Sequence, residues 1–129
     1  MLGHVSFGVS DLRRSAAFYD AAMTALGYAR VFTSDRAVGY GARGSDNDRL
    51  LLILQPEPVR PHGAGFHLAF AAPSREAVDA FHRAALRSGG LDQGRPGLRP
   101  HYGPDYYAAF VLDPDGYKLE AKHPPPPEG

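Results

Sequence analysis

Two copies of one strand–helix–strands module, making an α+β chain, are what this sequence predicts, and three observations predict it. The chain matches itself at a shift of 63 positions: His4 falls on His67, Phe7 on Phe70, Phe18 on Phe81, Ala22 on Ala85 and Gly27 on Gly90. A long fixed period is the mark of a repeated structural unit. Each copy also carries an apolar stripe at helical spacing, opened by a capping side chain and closed by glycine. The segments around those stripes alternate apolar and polar residues with the period of a strand.

The elements follow in order. Residues 4–9 alternate, with Val5, Phe7 and Val9 on one side and His4, Ser6 and Gly8 on the other. Ser10 or Asp11 then caps a helix by accepting a free first-turn N–H. Leu12, Ala16, Tyr19, Met23 and Leu26 form its stripe, and Gly27 stops it, since glycine takes the left-handed conformation readily. Strands are predicted over 28–32, 36–41 and 49–55, with a turn at 44–48, and residues 56–65 read as a linker. The second copy has a strand over 67–71, a cap at Ser74, a stripe of Val78, Phe81 and Ala85, and a stop at Gly89-Gly90. The Gly/Pro-rich stretch from 91 to 104 reads as a loop. Strands over 106–112 and 117–122 flank Asp113-Pro114-Asp115-Gly116, a strong turn signal. The chain is therefore a single domain, 1–123, of modules at about 1–57 and 64–123. The proline-rich tail, 124–129, is unsuited to a sheet.

Composition narrows the function. The 129 residues include 43% apolar and 22% charged residues, with 14 basic side chains balancing 14 acidic ones. No basic stripe marks the chain for nucleic acid. No apolar run is long enough to span a bilayer, and no signal-peptide pattern opens the chain. Cysteine is absent, which removes disulfides, thiolate sites and cysteine nucleophiles. A cytoplasmic homodimer acting on a small molecule, with no nucleic-acid or membrane partner, is the expectation.

The chemistry lies in the two histidine strands. In both, bulky residues fall opposite the histidine, and only small residues share its side: Ser6 and Gly8 with His4, Ala69 and Ala71 with His67. A sheet packed on helices needs bulk on one face only, so the bulky faces should meet the helices and the histidine faces should line a hollow. In the last strand Glu120 alternates with Tyr117, Leu119 and Ala121. It reads as part of a solvated Lys-Glu-Lys face or, if both copies share a sheet, as a third group in that hollow. Two imidazoles and a carboxylate suit one divalent ion of Fe, Mn, Ni, Co or Zn.

These residues bring a family into view. His4-Val5-Ser6-Phe7-Gly8-Val9 with Phe18-Tyr19, then Phe66-His67-Leu68-Ala69-Phe70, then Asp113-Pro114-Asp115-Gly116-Tyr117-Lys118-Leu119-Glu120 resemble the vicinal oxygen chelate superfamily. That superfamily includes glyoxalase I, bleomycin-resistance proteins, fosfomycin-resistance thiol transferases and extradiol dioxygenases. The resemblance implies two βαβββ modules forming a curled mixed β-sheet around a central cavity, with helices on the outer face. It also implies His4, His67 and Glu120 as metal ligands. Glyoxalase I draws a fourth ligand from the other module. The place matching Glu120, counted from the turn, is Leu52, which binds no metal, while a plain shift of 63 would match Glu57.

The implied function is a divalent-metal-dependent enzyme of lyase, isomerase, thiol-transferase or dioxygenase type, chelating vicinal oxygens of a small substrate. The alternative is a non-catalytic binding protein for an antibiotic-type small molecule. A two-residue turn would set Tyr107 opposite Lys122 and Ala109 opposite Glu120. Tyr107 would then join Glu120 as a catalytic candidate, on the histidine side. Tyr40, Arg99, His101 and Tyr102, with Tyr107, are the substrate-binding candidates. His82 reads as a surface or helix-edge residue, and His62 and His123 as solvated.

Overall fold

The computed structural model describes residues 1–127; Glu128 and Gly129, the end of the expected tail, lie outside the described residues. The elements run β1 (Val5–Val9), α1 (Leu12–Ala25), β2 (Tyr28–Thr33), β3 (Ala37–Ala42), β4 (Leu50–Leu54), β5 (Leu68–Ala71), α2 (Arg75–Arg87), β6 (Leu91–Leu98), β7 (Tyr107–Leu112) and β8 (Lys118–His123). Asp11 caps α1 by accepting from Arg14 N at 3.0 Å, and Ser74 caps α2 by accepting from Ala77 N at 3.1 Å. Gly27 and Gly89 follow the helices with φ of 91° and 102°, conformations open to glycine without a Cβ penalty.

The two copies fold alike. Each makes a four-stranded mixed sheet, in the orders β1-β4-β3-β2 and β5-β8-β7-β6. In each, the first strand runs parallel to the last and the other pairs are antiparallel. The bulky strand faces meet the helices as the alternation predicts. Val9, Leu52, Val111 and Leu119 are fully buried with Phe18, Tyr19, Val78 and Phe81 in one core, and each such side chain contributes about 1.5–3 kcal/mol relative to exposure.

One expectation is overturned. The strands do not form a single curled sheet around a cavity. Among the described residues no ladder joins β1 to β5, so there are two separate sheets, neither curled nor closed. The modules are joined instead through their helices, which pack against each other rather than lying on an outer face. Phe18 of α1 reaches Gly90, where an added Cβ would sit 2.7 Å from its ring. The neighbouring Tyr19 donates to Asp113 at the β7–β8 turn. Burial pushes both of these groups above their usual pKa ranges. The expected 91–104 loop is corrected in its first part only, since 99–104 is a turn. Residues 91–98 are a true strand, irregular around Gly94 and Gly97, where the pairing with β7 shifts register. The glycines thus mark bulges rather than a loop.

The turn 113–116 clasps the modules. Asp115, whose side chain is 5% exposed, accepts from Arg14 at 3.0 Å and from Ser10 N at 3.3 Å, and takes the Ser10 hydroxyl as well. Tyr117, just before β8, donates to Gly8 O at 2.8 Å and packs its ring 4.3 Å from that of Phe7. Replacing Asp115 with alanine should cost about 2 kcal/mol, because a nearly buried carboxylate loses charge-assisted bonds that bridge two modules. Urea unfolding would show this as a lowered midpoint, and an unchanged midpoint would mean the clasp has no net weight.

Candidate metal centre on the second sheet

The open face of the second sheet gathers the chemistry. Register sets it: Ala69 of β5 pairs with Glu120, and Phe110 of β7 pairs with Glu120 from the other side. His67, two residues before Ala69, shares that face. Its Nε2 lies 2.8 Å from Glu120 Oε1, and the Tyr106 hydroxyl donates to Glu120 Oε2 at 2.6 Å. Both carboxylate oxygens are therefore engaged. Glu120 is 2% exposed, whereas the His67 side chain is 38% exposed. A buried carboxylate is costly unless its oxygens are bonded, which is the service His67 and Tyr106 provide. Burial, with the adjacent Glu120 carboxylate, pushes the Tyr106 hydroxyl well up from its usual pKa, so it stays a donor.

His4 lies just before β1 and is exposed. It and His67 line one cleft of about 500 Å³, bordered by Met23, Leu50, Leu68 and Tyr28. Among the described residues, however, no three His, Cys, Asp or Glu side chains come together as a metal cage. The chain thus brings His67 to Glu120 and leaves His4 apart; Glu57 joins no such group either. The position equivalent to Glu120 needs a correction. Ser6, the counterpart of Ala69, pairs with Leu51. Leu51 is therefore the match, while Leu52 points into the core. Both are leucine, and the first sheet offers no carboxylate there.

Tyr107 is the main displaced candidate. Leu112 pairs with Lys118, so the β7–β8 connection spans residues 113–117 rather than two. The odd length sets Tyr107 opposite His123 and Phe110, not Ala109, opposite Glu120. A one-residue slip exchanges the faces of a strand. Tyr107 accordingly turns to the helix side and donates to Asp79 at 2.6 Å, a bond that raises its pKa. Tyr106 takes the place assigned to it, and the length of that connection was the signal that would have found it.

The other candidates divide. Tyr40 lines the cleft's wall, but its hydroxyl donates to Asp20 at 2.8 Å, and burial raises its pKa. Arg99 lies over the Phe110 ring at 5.6 Å, on the Glu120 face. His101 and Tyr102 stack 4.1 Å apart on the 99–106 turn, with the exposed Tyr102 ring 5.3 Å from Tyr106. His82 is buried, not at the surface, and binds Asp92 at 3.0 Å, which lowers the Asp92 pKa. His123 is half-buried and lies 2.9 Å from Ala72 O.

A duplicated βαβββ chain with an imidazole and a carboxylate side by side on an open sheet face defines a class of paired-module proteins. Residues 1–121 match the family described as the Glyoxalase/Bleomycin resistance protein/Dioxygenase superfamily. The chain belongs to that superfamily, the vicinal oxygen chelate proteins. Among solved structures it is similar to a glyoxalase/bleomycin resistance protein from Albidiferax ferrireducens T118, at 36% identity and a TM-score of 0.81, covering 97% of this chain and 99% of that one. It is also similar to a glyoxalase I mutant from Zea mays, at 26% identity and a TM-score of 0.68, covering 92% of this chain and 44% of the longer plant protein. A glyoxalase-related enzyme from Fulvimarina pelagi shares the fold at 23% identity and a TM-score of 0.71, covering 95% and 86%. No curated protein matches the chain. Among the described residues no helix is long and apolar enough to cross a membrane.

Proposed function

We propose that this chain is a divalent-metal-dependent enzyme acting on a small oxygenated substrate at the open face of the second sheet. The observation that carries this reading is the pairing of buried Glu120 with His67 at 2.8 Å. Two donors that each stand about 2.1 Å from one ion lie roughly 3 Å from each other, so the pair already has the spacing of neighbouring ligands. An imidazole with a carboxylate suits Fe, Mn, Ni, Co or Zn. When bound, the ion supplies Lewis-acid polarisation of the substrate's vicinal oxygens.

His4 is the third ligand in this reading, and it comes from a second copy of the chain. β1 and β5 are edge strands, each paired on one side only, and exposed Phe32 and Ile53 leave the first sheet's open face apolar. A homodimer that lays this face against the second sheet of its partner covers that surface and brings His4 to His67 and Glu120. The protein's own groups then do the following. Tyr106 holds one oxygen of Glu120 and leaves the other for the ion. Phe110, edge-on to His67 at 5.7 Å, fixes the ring and sheds water from the site.

Cobalt(II) titration of chelator-stripped protein, followed by visible absorption, tests the reading. Saturation at one equivalent per chain is expected, and an unsaturable response would sink it. Tyr106→Phe should weaken cobalt binding about tenfold, the usual effect of removing a hydrogen bond behind a ligand. A non-catalytic binding protein is the second reading, favoured by the largely apolar cleft beside His4; loss of cobalt binding with retained ligand binding would select it.

A further inference from the structure

The face around Glu120 also carries three cations. Arg99 and Lys118 both lie over the Phe110 ring, their charges 5.6 and 5.2 Å from its centroid, and Lys122 lies 4.9 Å from the centroid of Tyr106. Phe110 is the register partner of Glu120, and Tyr106 is its hydrogen-bond donor. All three cations therefore border one carboxylate. That carboxylate is already engaged by His67 and Tyr106. Among the described residues none of the three cations forms an ion pair of its own. Among the described residues Arg99 donates to Arg95 O and Lys122 to Pro124 O, both backbone carbonyls. Of the acidic groups nearby, Asp92 is taken by His82, and Asp105 is exposed on the turn.

Arg99 is moreover seated rather than loose. An added Cβ at Gly94 or Gly97 would stand 3.3 or 3.2 Å from its guanidinium nitrogens. The bulged strand β6 thus leaves, at its two glycines, a bare patch beside the guanidinium. Three cations over aromatic rings outnumber the one Glu120 carboxylate that they border, which leaves a net positive potential at the site.

We propose that the second sheet binds the oxyanion of a small anionic substrate, a carboxylate or a phosphoryl-type group, through Arg99, Lys118 and Lys122. This rests on the reading of that face as the substrate face. The guanidinium can grip two oxygens of such a group at once, while each ammonium acts as a point charge. The substrate class narrows from any small oxygenated molecule to one that carries a negative charge beside the oxygens it presents to the ion.

The 129-residue chain is titrated with inorganic phosphate, glycolate and the neutral glycolamide, by calorimetry, first chelator-stripped and then cobalt-loaded. The stripped protein should bind phosphate and glycolate, and glycolamide at least tenfold more weakly. The triple variant R99Q/K118Q/K122Q should lose at least tenfold in affinity for both anions, and each single change should lose part of that. Whichever anion binds tighter identifies the headgroup. Equal anion affinity in wild-type and variant protein, or glycolamide matching glycolate, would overturn the proposal. Cobalt saturation of the same variant, which leaves every ligand in place, should be unchanged. A wild type that binds anions through these cations but takes up no cobalt would therefore keep this proposal and sink the metal reading instead.

Discussion

Replacing Glu120 with alanine is expected to abolish metal binding, with a loss of at least about a hundredfold in cobalt affinity. Glu120 is nearly inaccessible to solvent. Its removal strands an imidazole and a tyrosine hydroxyl that now share it. A lone imidazole is a weak site, since affinity comes from several donors held in place together. The unpartnered Tyr106 hydroxyl should also lower stability by about 1–3 kcal/mol. Glu120→Gln separates the two effects, because the amide keeps the shape and an acceptor for Tyr106 but loses the charge. It should melt close to wild type and still bind cobalt poorly. If either variant binds cobalt as tightly as the wild type, Glu120 is not a ligand.

Much of the fold was legible because duplication doubles every signal. The caps at Asp11 and Ser74 and the glycines after each helix are local chemistry, readable one turn at a time. What the sequence left hidden is long-range. Nothing in the alternation of β1 or β5 says whether their free edges meet, and the resemblance suggested one curled sheet where two separate sheets formed. The strand β6 was hidden for a different reason: its glycines and Pro96 read as a loop, yet they serve as bulges in a strand that is held by β7.

The site divides in the same way. His67 and Glu120 were legible from alternation and from the family pattern around the Asp113–Gly116 turn. Tyr106 was not, because its face depends on the length of one connection. A five-residue connection in place of the expected two-residue turn sends Tyr107 to Asp79 and brings Tyr106 to Glu120. Lys118 and Lys122 read as solvated until the rings beneath them, Phe110 and Tyr106, were known.

The second large effect concerns where His4 acts. Chains bearing His4→Ala and chains bearing Glu120→Ala should each bind cobalt poorly alone. If every site is shared between two copies, a heterodimer of the two variants holds one site with both defects and one site with none. Random pairing makes half the dimers mixed, so about a quarter of the sites become intact. Co-expressing the two chains and counting cobalt per chain is the direct measurement. Recovery from near zero to about a quarter of the wild-type value is the predicted result. A co-expressed sample that binds no more cobalt than its parents would contradict a metal centre built from His67 and Glu120 of one chain and His4 of its partner.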